Sequence, residues 1–459
     1  MFGIITGRSI ISGATKHITR TMATATKIEL STSQRPEQYR GPFSNEATQT
    51  ASKFLQQNHD DYHIFFNKEG FHNHIAHHLL TVWALRGTVE DLRQAYGDNK
   101  SYQRPQMRPD EAVIDRLQDE AFFASYLGPE DHYSTFLNFF QREIEKSSWQ
   151  EVLQTYLLAG DKRANDMLAR LYAGVLHPII HLGFGIEFDQ PAIIAEALAQ
   201  AACHDVWIAD YFLPAEEAAN KVTDLDSLPS IVQLLDEMRA DKELFDAPRW
   251  ADGNKIRDGI MKRAGDCMLS YAARVRVKPE ALAEKTAEMT NAAAYYTAGA
   301  QRSDKAIKYD FFFIHNVNCS IFFSSFLKQD WLSDADKVRL LEWKIRIDLV
   351  MYVSRKSPEI RLQDIREYKP KQPSGLDEIE DRVCRLPDDG HASKLVRAIA
   401  HGQQICKPYE SREAFRLKQD DWLQLAHMAI DSVESEGANW VRSAGFDEAW
   451  KDVPARAQL

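Results

Sequence analysis

The stretch Phe311-Phe312-Phe313-Ile314-His315-Asn316-Val317-Asn318-Cys319-Ser320-Ile321-Phe322-Phe323, continuing to Leu327, comes nearest in this chain to an unbroken apolar run. A membrane-spanning helix needs about 20 predominantly apolar residues. His315, Asn316 and Asn318 interrupt the run, so it reads as a buried, aromatic-rich core helix and not as a membrane span. Helical signals extend outward from it. Ser148-Trp149-Gln150-Glu151 has the form of a helix start ahead of 152–158, with Ser147 or Ser148 as cap and Glu151 near the third position. Asp161 precedes Met167, Leu168, Leu171 and Val175, an apolar stripe at spacings of three and four. The segment 192–202 is rich in strong helix formers, and 281–300, 334–353 and 420–436 read the same way. No period-two alternation lasts long enough for a sheet of more than two or three strands. The expected fold is all-α: one large helical body whose core helices carry histidines.

Prolines place linkers at 100–109, 213–230 and 368–375. No repeat of fixed period is present, which disfavours a solenoid. A length of 459 residues corresponds to about three domains, although large helical enzymes form one continuous body. The net charge of −11, with no basic run, argues against nucleic acid as a partner. The five cysteines are scattered and lack a CxxC spacing, which points to a reducing, cytoplasmic setting and away from thiolate zinc. Residues 1–28 differ in composition. Arg8, Lys16, Arg20 and Lys27 occur with no acid before Glu29, so this basic extension is either disordered, a mitochondrial targeting segment, or a stretch upstream of a true start at Met22.

The chemistry-bearing residues are histidines. His59, His63, His72, His74, His77 and His78 lie within twenty residues, and His177 and His181 follow about a hundred residues later. The pairs His74/His78 and His177/His181 are four apart, a spacing that on a helix places both imidazoles on one face, within reach of a single ion. Read as a helix, Phe71–Leu80 puts His72 and Asn73 in the first turn. The plainer reading is a helix start whose histidines cap, hydrogen-bond or face solvent. In His177-Pro178-Ile179-Ile180-His181-Leu182-Gly183-Phe184-Gly185-Ile186-Glu187, Pro178 suits a helix start at or just after His177. The two histidines and Glu187 stand among apolar residues and glycine, so each needs a partner, and metal coordination supplies one. His315 is a lone buried histidine beside phenylalanines whose flat faces suit an aromatic ligand. In Asp388-Asp389-Gly390-His391-Ala392-Ser393-Lys394, the lysine is either a snorkelling surface residue or a buried, deprotonated amine open to covalent modification. No GxGxxG follows a strand and no GxxxxGK[ST] loop occurs, so a Rossmann-type flavin or NAD(P)H domain is not visible.

Taken in order, Phe71-His72-Asn73-His74 with His77-His78-Leu79-Leu80, the His177–Glu187 block, His315 in its Phe-rich helix, and His391-Ala392-Ser393-Lys394 with Arg397-Ala398 resemble the questin oxidase-like family of fungal secondary metabolism. The resemblance spans roughly residues 40–455. It implies an oxidoreductase that opens the ring of an anthraquinone-like polyketide with O2, by a Baeyer–Villiger-type or dioxygenase reaction. It further implies a non-haem Fe2+ site held by His177, His181, His315 and one of His74 or His78, with Lys394 carboxylated, and no catalytic group beyond the metal site. Phe311, Phe312 and Phe184 are the expected substrate-binding aromatics. The absence of a nucleotide motif favours iron, since dioxygen chemistry on a ring needs a redox partner. Three readings compete: an NADPH-dependent Baeyer–Villiger monooxygenase without metal, a non-catalytic helical binding protein, and a zinc hydrolase, the last weakened by the lack of HExxH. The expected partners are a small aromatic or polyketide substrate and O2.

Overall fold

A computed structural model describes residues 23–456. The apolar run forms one helix, Phe311–Leu327. Its start is fixed by Asp310, whose carboxylate accepts the amides of Phe312 (2.8 Å) and Phe313 (3.2 Å), donors that a helix N-terminus leaves without internal partners. From Phe313 to Phe323 every side chain is buried, so the interrupting polar residues need partners inside the protein. Asn316 finds one by donating to the Tyr296 hydroxyl at 2.5 Å. Helices make up 63% of the structure. Among the described residues the single sheet pairs Tyr309–Asp310 with Trp440–Val441, two residues each and parallel, so the fold is all-α. No single helix described is long and apolar enough to cross a membrane.

Leu282–Gly299, His177–Glu187 and His391–Cys406 pack around the central helix. A Cβ at Gly183 would lie 2.1 Å from Phe322 Cγ, so only glycine lets the His177–Glu187 helix settle against Phe311–Leu327. On its other side lies Pro191–Ala202, an alanine-rich helix wedged against both His177–Glu187 and Tyr133–Lys146. Ile75–Ala84 is wholly buried and lies against His391–Cys406 and Asn45–Asp61. Glu187 ends its helix in a buried ion pair with Arg397 and accepts the Glu37 amide at 2.7 Å. Arginine, and not a metal, answers the need of Glu187 for a partner, and the pair ties His177–Glu187 to His391–Cys406.

The predicted helix starts hold at Ser148, which caps Trp149–Leu153, and at Asp161, which caps Lys162–Leu171. The linker expected at 213–230 begins later. Residues to Ala219 belong to Ala209–Ala219, with Pro214 inside. Burial of Tyr211, Phe212 and Ala215 outweighs the lost amide. His72 and Asn73 do not form a first helical turn either. The helix begins at Ile75, whose amide is taken by the Asn73 side chain at 2.9 Å, and His72 pairs with Phe65 in an isolated bridge. Of the basic extension, residues 1–22 lie outside the described residues. Beyond them Ala25 and Ile28 are buried, and the Ile28 amide donates to Gln56 Oε1 at 2.7 Å.

Candidate metal centre

Three helix N-termini meet the second turn of the central helix, and each brings one imidazole. His74 is the residue before Ile75–Ala84, His177 and His391 open their helices, and His315 lies in Phe311–Leu327. All four are buried. Ligand atoms of His74, His177 and His391 lie within 4.8 Å of one another. His74 Nε2 is 2.9 Å from His177 Nε2, and His391 Nε2 is 3.2 Å from His315 Nε2.

The Nδ1 atoms decide what the Nε2 atoms are. His177 Nδ1 donates to the Gly174 carbonyl (2.6 Å) and His315 Nδ1 to the Phe311 carbonyl (2.6 Å). The two oxygens of Asp389 receive His391 Nδ1 (2.5 Å) and His74 Nδ1 (3.2 Å). Each ring's hydrogen is therefore spent on oxygen, which fixes the tautomer and leaves the lone pairs of His74, His177 and His391 converging, with that of His315 turned toward His391. Protonation does not relieve them. Burial, then the Lys394 charge, pushes His74 down to about 3. Burial and neighbouring positive charge hold His177 and His315 well below the ordinary histidine value and lower His391. Neutral imidazoles with converging lone pairs fit a divalent transition metal, and an all-nitrogen set suits iron(II) among others.

Lys394 sits one turn after His391 and is buried, its side-chain nitrogen making no hydrogen bond or ion pair among the described residues. Burial brings its ammonium down to about 8, with Asp389 and Asp388 opposing the shift. Its position in the first turn of His391–Cys406 places it near the positive end of the helix dipole, which disfavours an ammonium and favours an anion.

The remaining candidates go elsewhere. His181 Nε2 bonds Glu196 Oε2 at 2.7 Å and its Nδ1 lies 2.9 Å from His77 Nε2, outside the trio. Glu196 bonds His59 Nδ1 (2.6 Å), and His59 Nε2 meets Gln141 (3.0 Å). His78 turns to Asn99 (3.5 Å) and Asp388 (3.9 Å). Neither pair spaced four apart thus delivers two rings to one point. His74 precedes the helix proper, so its ring is not held in the helical direction that His78 follows. The sequence does not mark His391 or Asp389 as members of the site. Their signal was local: an Asp-Gly-His turn one helical turn ahead of the suspect lysine.

A cavity of about 670 Å³ reaches the residues flanking the cluster, with Gly174, Leu176, His204 and Phe312 in its wall, although none of the four imidazoles lines it. His204 is joined to His72 (2.9 Å), and the His72 ring stacks on His177 with centroids 4.0 Å apart. Gly174, Val175 and Leu176 all have positive φ, strain concentrated just before His177. A Cβ at Gly174 would lie 2.4 Å from the His204 ring, so the turn requires glycine. Phe311 packs on His315 and His391, at 4.8 and 5.2 Å between centroids, while Phe312 faces the cavity. Phe184 is a core residue stacked on His77 at 5.0 Å and does not line this cavity.

The sequence profile of the questin oxidase-like family matches residues 71–399, a span that contains every residue of this cluster. The chain belongs to the questin oxidase-like family. Its relatives include a Baeyer–Villiger oxidase of Pestalotiopsis fici, 41% identical over 89% of this chain and 93% of its own length. A Baeyer–Villiger oxidase of Emericella nidulans is 42% identical over 88% and 92% of the two chains. A questin oxidase of Aspergillus terreus is 37% identical over 94% and 98%. This questin oxidase-like protein is accordingly an oxidoreductase.

Proposed function

We propose that the protein opens the ring of an anthraquinone-like polyketide with O2 at a non-haem iron held by His74, His177, His315 and His391, with Lys394 carboxylated. The observation that carries the metal is the convergence of the tautomer-locked rings of His74, His177 and His391, with His315 Nε2 beside that of His391. Relatives named Baeyer–Villiger oxidase and questin oxidase support the reaction class. Iron, when bound, supplies the one-electron chemistry that lets O2 react with a closed-shell ring. Asp389 holds the rings of His74 and His391, and the Gly174 and Phe311 carbonyls hold those of His177 and His315. The Lys394 amine, brought near neutrality by burial, adds to CO2 and releases one proton. The resulting carbamate gives an anionic oxygen to a set that otherwise has only nitrogen. Phe312 and the cavity beside it receive the flat ring system and keep bulk water from the cluster.

The oxygen balance separates the two reactions. Dioxygenase cleavage places both atoms of O2 in the product and needs no external reductant. Monooxygenation places one atom, releases the other as water and takes two electrons, for which NADPH is the alternative source. The test is anaerobic purification, elemental analysis, and turnover of 1,8-dihydroxyanthraquinone under ¹⁸O2 with and without NADPH. About one iron per chain and ¹⁸O in a ring-opened product without NADPH is the expected result. Metal-free protein that turns over only with NADPH would overturn the iron site and leave the flavin-free monooxygenase reading.

A further inference from the structure

The cavity beside the histidine cluster has an uneven distribution of charge. Of its carboxylates, Glu69 and Asp205 are exposed at the rim, and half-buried Glu130 is already paired with Arg104. Of its cations, Lys68 is exposed at the rim, whereas Arg355 and Lys255 are buried in the wall, 6% and 7% exposed. Arg355 ends up underused. One terminal nitrogen donates to Ser443 Oγ at 3.3 Å, the other meets Met351 Sδ at 3.5 Å, and Nε has no partner. No carboxylate forms an ion pair with it among the described residues. Asp310, whose charge does reach it, is already committed to the amides of Phe312, Phe313 and Ala444. Lys255 is held by the Trp250 and Asp252 carbonyls at 2.6 and 3.1 Å, and its charge repels that of Arg355.

Buried like charges with spare donors raise the energy of the protein alone, and an incoming anion lowers it. The surroundings say what kind of anion. The Arg355 guanidinium lies 3.6 Å from the centroid of the Phe312 ring, and Leu176, Trp207 and Ile347 complete an apolar wall. A flat apolar surface that ends in a planar cation matches an aromatic ring system bearing an acidic oxygen at its edge. The backbone is built to hold that cation in place. Lys356 and Ser357 both have positive φ directly after it, and the Arg355 carbonyl is fixed by the Gly445 amide at 3.0 Å.

We propose that Arg355, seconded by Lys255, determines specificity by binding an ionised carboxylate or phenolate on the substrate, at the end of the ring system away from the histidines. This rests on the reading that the cavity holds the aromatic substrate. The test is isothermal titration of the full chain, without turnover, using anthraquinone-2-carboxylate and the neutral anthraquinone-2-carboxamide. A second pair, 2-hydroxy- and 2-methoxyanthraquinone, separates phenolate from carboxylate recognition. The parent protein binds at least one acidic compound about tenfold or more tightly than its neutral counterpart. Arg355→Gln abolishes that preference and leaves the affinity for the neutral compound unchanged. Arg355→Lys retains most of it, and Lys255→Met lowers it by about threefold. Equal affinity for acidic and neutral ligands in the parent would overturn the proposal while leaving the aromatic cavity intact. A loss of both ligands alike in Arg355→Gln would make Arg355 structural and overturn it too. If neither ring compound binds the parent, the reading of the cavity falls first and this proposal with it. Should Arg355→Gln fail to fold, the parent comparison and Lys255→Met still decide.

Discussion

Two histidine networks lie a few ångströms apart in this protein and have opposite logic. In the first, His74, His177, His315 and His391 each give their hydrogen outward to an oxygen, and four lone pairs face inward. In the second, donors and acceptors alternate: His77 bonds His181, His181 bonds Glu196, Glu196 bonds His59, and His59 bonds Gln141. The second network is linked ring to carboxylate by the protein's own atoms, with only His77 Nδ1 left unpartnered among its rings, whereas the first leaves converging lone pairs that could hold a cation. Both are buried and both are built from imidazoles, so neither burial nor residue type distinguishes a metal centre from a structural chain. The position of the ring hydrogen does.

The sharpest way to break this contrast is a pair of substitutions one helical turn apart. His177→Ala should reduce iron from about one per chain to near zero. His181→Ala should leave the iron in place and cost about 1–3 kcal/mol of stability, since it strips Glu196 of a partner. Elemental analysis and denaturant melts of both variants check this, and iron loss in both would merge the two networks into one site.

A smaller effect is expected at the carboxylate that orients two of the rings. Asp389→Asn should weaken iron binding by about 10–100-fold, as removal of an orienting partner from ligating histidines typically does. Competition with a chelator measures it, and an unchanged affinity would remove Asp389 from the account.

The least effect, and the most specific to the second network, is in pH. Against the effect of burial, the hydrogen bonds from His181 and His59 bring Glu196 down to about 2. A carboxylate depressed on folding contributes stability that is present above its unfolded value and is lost as pH falls through its folded one. Glu196→Gln should therefore melt with a shallower decline than the parent between about pH 5 and about pH 3. An identical slope in the two proteins would mean that Glu196 does not couple to folding.

Helix positions were legible because they depend on short-range signals. Ser148 and Asp161 cap helices where their side chains reach amides three residues on, and the Phe311–Leu327 run has one face for every neighbour because all of its faces are buried. Pro214 misled because tertiary burial of Tyr211 and Phe212 outweighs a local penalty. The site was half legible. The structure places His74, His177, His315 and Lys394 at or beside the cluster; apolar company marks His177 and His315 in the sequence, while His74 stands out by its spacing from His78 and Lys394 only through the family resemblance. The i,i+4 rule grouped them with the wrong partners, because these rings are assembled from separate helix N-termini and not from one helix face. Glu196, which holds His181 and His59, is hidden in an alanine-rich helix that carries no chemical signal of its own.

The sequence alone determined that this protein is helical, that its core admits histidines, and which segments carry them, since these follow from composition and periodicity over a few turns. Only the tertiary structure decided which histidines face one another, which bond to Glu196, and that two buried cations line the cavity. Those outcomes depend on where each ring's one hydrogen finds an oxygen, and that oxygen lies on a neighbouring residue for some rings and on another helix for others.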